Sequence, residues 1–412
     1  MLDSIMAMLQ AVNLTDTGSS PVPAANIIIG KLMPTESKDV LTVSDGQNVF
    51  GLGGPDEFTW TGGNATIHGG DTGENYDTNV YGTKDGGDRL FINQASKVIL
   101  TSTEDGTATN NSGTLSFDGI ERIHLSDGDD VVRAGQATVD RYGLSIYANG
   151  GDDLVIGTSG EDFIDGGDGN DTIYAGAADD FVQSSRGDDV IYGGAGQDNI
   201  RWGQGNFEEV VGNDTVYGGE GHDLMNVWIK DGYVENGKGV AVNVVKVNAA
   251  GDFRLTAETD IGGAKSTLDA LNIEQGWTHE GKDTVSGANA NVLGEAGFHW
   301  NTRWGDDILV GSSGNDTLEG GTGQDTITGG AGDDLISGAN DYYNMNAPAD
   351  GDMDTFIFRA GHGNDTIIAF DADVDILDLG GVDYEITENG QGTLLTNGQD
   401  SILLYGVHDF DL

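Results

Sequence analysis

The chain has 412 residues, with 69 Asp plus Glu against 18 Lys plus Arg, a formal charge of −51, and no cysteine. That balance excludes a nucleic-acid binder, which needs clustered Lys and Arg for phosphate contacts, and the missing thiols exclude disulfides, thiol catalysis and thiolate metal sites. Of the acids 52 are Asp and 17 are Glu, and 68 positions are Gly. Short carboxylates among turn residues point to a hard cation rather than to a disordered acidic tail.

The opening MLDSIMAMLQAVNL lacks a basic n-region, carries Asp3 and runs into polar Thr15 and Asp16. It reads as a short amphipathic or capping segment and not as a secretory signal peptide. No apolar run approaches the ~20 residues of a membrane span. Residues 1–44, with Pro21, Pro23 and Pro34, are expected to form an N-terminal cap or attachment arm. Over 45–147, TKDGGDRLF around Asp88 and LSDGDDVVR around Asp130 are loose versions of a nine-residue pattern. This part is expected to form irregular solenoid coils with low calcium occupancy, with strands near Lys97–Leu100 and Ile120–Ile123.

At Ala148 the pattern becomes regular. Six consecutive blocks follow: ANGGDDLVI, GTSGEDFID, GGDGNDTIY, AGAADDFVQ, SSRGDDVIY and GGAGQDNIR. Each has Asp sixth (Asp153, Asp162, Asp171, Asp180, Asp189, Asp198) and an aliphatic eighth (Val155, Ile164, Ile173, Val182, Ile191, Ile200). EVVGNDTVY and GGEGHDLMN add Asp214 and Asp223, closing a first array over 148–226. A second array, 278–368, supplies Asp283, Asp307, Asp316, Asp325, Asp334 and, after an insertion, Asp365 in AGHGNDTII. A Gly/Asp linker would not hold an aliphatic at every eighth place through two separate arrays.

This is the nonapeptide G-G-x-G-x-D-x-U-x of calcium-binding parallel β-solenoids. The glycines permit turns that a Cβ would obstruct and aim carbonyl oxygens inward. The sixth-place Asp supplies a carboxylate to Ca²⁺, and residues seven to nine make a minimal strand with the eighth in the core. Two nonads make one coil, so Asp153, Asp171 and Asp189 should stack along one edge and Asp162, Asp180 and Asp198 along the other. Likewise Asp307 should stack on Asp325, and Asp316 on Asp334, with the ions between stacked turns. The expected fold is all-β, a right-handed parallel β-roll or β-solenoid with calcium in the GGxGxD turns, a lateral β-hairpin insertion and terminal caps.

These blocks resemble the RTX family of secreted bacterial proteins. The segment DTFIFRAGHGNDTIIAFDADVDILDLGGV, followed by TLLTNGQDSILLYGV, is similar to the C-terminal cap of serralysin-type RTX proteins. His408-Asp409-Phe410-Asp411-Leu412 is similar to the family's terminal secretion signal, so 369–412 is taken as a β cap plus signal. The resemblance implies several calcium ions, export from a Gram-negative bacterium by a type I secretion apparatus, and an extracellular or cell-surface location. It does not extend to the protease, because no H-E-x-x-H is present.

Between the arrays, 227–277 breaks the period, and GVAVNVVKVNAAGDFRLTAET reads as a hairpin turning near Ala249–Asp252. The stretch 202–304 gathers Trp202, Trp228, Trp277, Trp300 and Trp304 with His222, His279 and His299. The leading expectation is a non-enzymatic, secreted calcium-binding β-roll with a structural, adhesive or self-assembling role, its partners being calcium, the export apparatus, and its own copies or a surface polysaccharide. The alternative is a polysaccharide lyase or epimerase. There Lys230 or Lys282 would neutralise carboxylates, His279 or His299 would act as base, and Trp300 and Trp304 would form the sugar platform. A third reading takes the chain as a fragment or carrier module of a larger secreted protein.

Overall fold

The computed structural model describes residues 26–29, 38–70, 87–139, 142–203, 211–228, 238–261, 264–339 and 348–410. Through 148–226 and again through 296–368 the chain alternates between two facing sheets, giving one strand to each in turn. In the first sheet Leu154–Ile156, Thr172–Ala177, Val190–Gly196 and Asn213–Gly221 pair in parallel, in that order. In the second, Glu161–Asp165, Phe181–Ser184, Asn199–Trp202 and Leu224–Val227 do the same. Ile173 stands opposite Val155 and Ile191, so each coil is two nonads long. The second array keeps this register, with Leu309 opposite Ile327 and Leu318 opposite Ile336. The protein is an all-β parallel β-roll.

The core follows from the strand period of two, which turns the seventh and ninth residues outward and the eighth inward. Val155, Ile164, Ile173, Val182, Ile191 and Ile200 are all 0% exposed. So short a strand buries only one side chain, and stability comes from stacking coil on coil.

The insertion between the arrays is integrated into the first sheet. The expected hairpin is present: Asn248 Oδ1 accepts the amides of Ala250, Gly251 and Asp252 at the turn. It does not project laterally. Lys238–Val247, Phe253–Ile261 and Ala264–Ile273 form an antiparallel meander set between Asn213–Gly221 and Lys282–Ser286, and pair with those two in parallel. The reason lies in their alternation. Val240, Val242, Val244, Leu255, Ala257, Leu268 and Ala270 are buried on one face, which a lateral hairpin would leave in water. The same arrangement recurs upstream, where Lys97–Leu100, Gly106–Asn110 and Gly113–Asp118 lie between Ala65–Gly70 and Val131–Arg133. The other strand expected there is Arg122–His124, pairing with Arg89–Ile92.

Trp300, a bulkier side chain in the aliphatic's position, stands opposite the eighth-place Leu318. Trp60, Trp202 and Trp300 are among the largest fully buried side chains. Trp300 lies over Gly276 one coil away, so closely that a Cβ there would meet the indole ring. Replacing Trp300 with Ala should destabilise the calcium-loaded protein by about 3–5 kcal/mol, read as a lower melting temperature.

At the C-terminal end Glu385–Glu388, Gly392–Thr396 and Ser401–Tyr405 form a meander whose last strand extends the second sheet beside Asn364–Ile368. Leu395, Ile402 and Leu404 bury its inner face, so it covers what would otherwise be an open coil edge. Near the other end Asn26–Ile29 pairs in parallel with Gln47–Leu52, and Val40–Val43 with Glu57–Trp60. Most of the expected N-terminal cap, Lys230, Asp411 and Leu412 lie outside the described residues. No helix among the described residues is long and apolar enough to cross a membrane.

Candidate metal centre

The turns between strands are built by glycine at the second and fourth places of the nonad. Gly167 and Gly169 have φ of +90° and +133°, Gly194 and Gly196 +121° and +144°, Gly321 and Gly323 +108° and +124°. Stacking is tight enough that a Cβ on Gly169, Gly187 or Gly323 would meet the carbonyl oxygen of Gly151, Gly169 or Gly305 in the coil below. Each edge of the roll is therefore a column of closely stacked turns bearing carbonyl groups.

Beside each column runs a ladder of carboxylates. The Oδ1 of each sixth-place Asp accepts the amide of its counterpart one coil back: Asp171 from Asp153, Asp189 from Asp171, Asp180 from Asp162, each at 2.8 Å, and Asp198 from Asp180 at 2.9 Å. In the second array Asp325 accepts from Asp307 at 2.9 Å and Asp334 from Asp316 at 2.8 Å. The stacking expected from the 18-residue coil is thus present on both edges.

The second oxygen decides the chemistry. Oδ2 of Asp153, Asp171 and Asp189 on one edge, of Asp180, Asp198 and Asp223 on the other, and of Asp283, Asp307, Asp325 and Asp334 in the second array is buried without a hydrogen-bond partner. None of these residues is more than 3% exposed. The first-place glycine holds the space beside that oxygen: a Cβ on Gly166, Gly193 or Gly218 would stand 2.7, 2.5 or 2.5 Å from Oδ2 of Asp171, Asp198 or Asp223. At Asp283 and Asp307 the first residue is threonine, and the Thr278 and Thr302 hydroxyls partly offset the rise that burial imposes on these two carboxyls. Burial pushes Asp171 and Asp180 up to about 9 and Asp153 and Asp334 to about 8, and neighbouring ladder carboxylates add to the rise. Asp189, Asp198 and Asp325 rise to about 7 and Asp223 to about 6, again chiefly by desolvation. Rows of buried, half-satisfied carboxylates are stable only if something positive meets them.

Calcium fits this donor set, since it takes six to eight oxygens and no sulfur or nitrogen is needed. Among the described residues no three carboxylate or imidazole groups gather to hold a metal. The rest of a coordination shell would therefore come from turn carbonyls, as the stacked glycines allow. The family model of the RTX calcium-binding nonapeptide repeat matches in four copies, at residues 147–182, 174–206, 211–227 and 302–341. The chain carries RTX calcium-binding repeats. Calcium is accordingly its cofactor. No curated protein matches the chain. Among solved structures it is similar to the extracellular lipase LipA from Serratia marcescens, at 18% identity and a TM-score of 0.18, over 65% of this chain and 43% of the lipase. The match thus spans under half of that lipase, and a likeness of this size says nothing about activity.

Four of the fourteen Asp expected as ligands have both oxygens satisfied inside the protein. Asp162 Oδ2 accepts Thr158 N at 2.6 Å and its Oδ1 accepts Thr158 Oγ1 at 2.9 Å. Asp316 repeats this with Ser312 at 2.5 and 3.0 Å. Asp214 Oδ2 accepts the Trp202 indole N–H at 2.5 Å, and Asp365 Oδ2 pairs with His362 Nδ1 at 2.5 Å. These donors come from outside the sixth place, so the spacing of Asp alone does not reveal them.

Conversely, Asp56 belongs with the open carboxylates. It is 0% exposed, Oδ1 accepts Asp39 N at 2.9 Å, Oδ2 has no partner, and burial raises it to about 6. The signal was legible as GLGGPDEFT, with Gly51 first, Gly54 fourth, Asp56 sixth and buried Phe58 eighth. Asp354 and Glu274 also take sixth-place roles, accepting Asp325 N at 3.0 Å and Asp223 N at 2.6 Å.

The residues of the enzyme alternative disperse. Trp202 and Trp300 are 0% exposed, so Trp300 offers no face to a sugar. His299 Nε2 lies 2.9 Å from Glu319 Oε1, and Lys282 Nζ 2.6 Å from Asp306. Among the described residues Trp228 and His279 stack at 4.3 Å and Trp304 lies tilted against His279 at 5.0 Å, while the Arg201 and Arg303 guanidinium groups lie over Trp228 and Trp277 at 3.7 and 4.5 Å. Most of these ring faces are filled by one another.

Proposed function

We propose that this chain is a secreted, calcium-assembled RTX β-roll with a structural, adhesive or self-assembling role at the surface or in the matrix of a Gram-negative bacterium. The observation that carries this reading is the set of buried Asp Oδ2 atoms without partners, repeated along both edges. A fold that needs a cation at so many points stays unformed where calcium is scarce and forms where millimolar calcium exceeds the ~10⁻⁴–10⁻³ M affinities of extracellular modules. An unfolded chain suits a type I export channel. In this reading 1–44 is a cap or arm, 45–147 an irregular solenoid, 148–226 and 278–368 the RTX arrays, 227–277 the insertion, and 369–412 a cap with the export signal.

The test is to express the full chain with a type I apparatus. The protein should appear in the medium, coat the producing cells or self-associate in millimolar calcium, and be released by chelator. A monomer that ignores cells and its own copies at every calcium concentration would overturn the adhesive role.

A polysaccharide-active second reading is favoured by Trp304, which is 42% exposed beside Arg303. Screening alginate, pectin and sulfated glycans for unsaturated products should give none. Product formed by the wild type and abolished in His299→Ala would replace the structural reading with the enzymatic one.

A further inference from the structure

Not every turn of the roll is built to hold a cation. In most of the open turns the second-place residue has positive φ, as at Gly167, Gly194, Gly321 and Gly330, and the neighbouring Asp Oδ2 has no donor. The turns containing Thr158 and Ser312 take another shape. Neither these residues nor Gly160 and Gly314 are among the positive-φ positions. The second-place amide instead turns toward its own Asp, so Thr158 N lies 2.6 Å and Ser312 N 2.5 Å from Oδ2 of Asp162 and Asp316. The hydroxyls complete the closure: each donates to Oδ1 of its Asp, at 2.9 and 3.0 Å, and accepts the fourth-place amide of Gly160 or Gly314 at 3.0 Å. The amide and hydroxyl thus supply the positive partners that a cation supplies elsewhere.

A third turn, in the irregular upstream coils, closes the same way. Ser126 N and Oγ donate to Asp130 Oδ2 at 3.1 and 2.8 Å, and Gly128 N donates to Ser126 Oγ at 3.2 Å. The hydroxyl alone does not decide the outcome. Ser185 also holds a second place, yet it donates to Asp165 at 3.2 Å, Gly187 keeps φ at +133°, and Asp189 Oδ2 stays without a partner. Closure needs the second-place amide and hydroxyl together on the sixth-place carboxylate.

We infer that Thr158 and Ser312 act as built-in substitutes for calcium, so that the Asp162 and Asp316 turns hold no ion and the cation rows on that edge begin at the next coils, Asp180 and Asp334. This rests on the reading that the open carboxylates bind calcium. It goes beyond that reading by assigning, turn by turn, which repeats are metal sites.

The test counts metal. Wild type, Thr158→Gly, Ser312→Gly, Asp162→Asn and Asp180→Asn are equilibrated with calcium, and bound calcium per chain is read by native mass spectrometry, with far-UV CD confirming the fold. Thr158→Gly and Ser312→Gly, which restore the G-G-x-G-x-D pattern, should each gain one calcium. Asp180→Asn should lose at least one, and Asp162→Asn should keep the wild-type count. A glycine variant that folds without gaining an ion, or loss of calcium in Asp162→Asn, overturns the inference. If a glycine variant does not fold, Asp162→Asn, which preserves size and one acceptor, decides alone. A wild type that binds no calcium would instead overturn the functional reading on which the inference rests.

Discussion

Stripped of calcium at pH 7, the protein will lose its β-sheet CD signal and become protease-sensitive, and it will regain order as the pH is lowered toward 4. The sign comes from the ladder. In the calcium-free fold Asp153 rises to about 8, and Asp171 and Asp180 to about 9, from 3.8. The folded state therefore binds more protons than the unfolded chain, and the stability these groups contribute is full below the unfolded value and is lost progressively as pH rises from about 4 through the folded values of 8 to 9. Each such group costs about 4 kcal/mol at pH 7, at 1.36 kcal/mol per pH unit. Because neighbouring carboxylates raise one another these costs are not additive, but two or three such groups already reach the scale of the roughly 5–15 kcal/mol by which whole domains are stable. Calcium removes the cost by meeting the carboxylates in their charged form. Exposed pairs such as Lys282–Asp306 and Arg359–Asp378 lower their carboxylates and work in the opposite direction below pH 4, but solvent screens them. CD and limited proteolysis across pH 4 to 8, with chelator and after calcium is restored, would check this. A calcium-free protein equally ordered at every pH would overturn it.

Gly187→Val should be among the most damaging single changes in the first array. Gly187 has φ +133°, a region that a β-branched residue does not enter, and a Cβ there would meet the carbonyl of Gly169. Backbone strain alone is worth roughly 1–3 kcal/mol. The clash then forces apart two coils that carry Asp171 and Asp189. We expect the variant to bind at least one calcium fewer and to melt at a clearly lower temperature in millimolar calcium. Gly361→Ala is the control. Its φ is +83° with nothing within 4 Å of an added Cβ, so it should show the strain without the clash. Equal melting of the two variants would sink the argument that stacking tolerance sets the glycine requirement.

How much of this was legible depended on whether a feature is periodic. The eighth-place aliphatics fixed the core because a strand of three residues has one inward position, and Val155 through Ile200 fill it at 0% exposure. Asp56 was equally legible, but it stands alone in GLGGPDEFT without a second regular copy beside it. The course of 227–277 was only half legible. Its alternation marked a hairpin, but the third strand and its parallel joints at Thr267 and Thr284 depend on edges offered by coils far away in sequence. The tryptophans divided for a similar reason. Trp300 fills a slot made by Gly276, and composition alone did not separate it from exposed Trp304.

By itself the sequence determined the nine-residue period, the two-nonad coil, the buried row and the positions where carboxylates stack, because each depends on contacts repeated at one fixed spacing. Only the tertiary structure decided which carboxylates remain open. Asp162 and Asp180 hold the same place in the repeat, and they differ because Thr158 turns an amide and a hydroxyl onto one while Asp180 Oδ2 has no donor. A carboxylate's demand for a cation is set by the donors that surround it in space, and those donors come from turns, insertions and neighbouring coils that do not share the period.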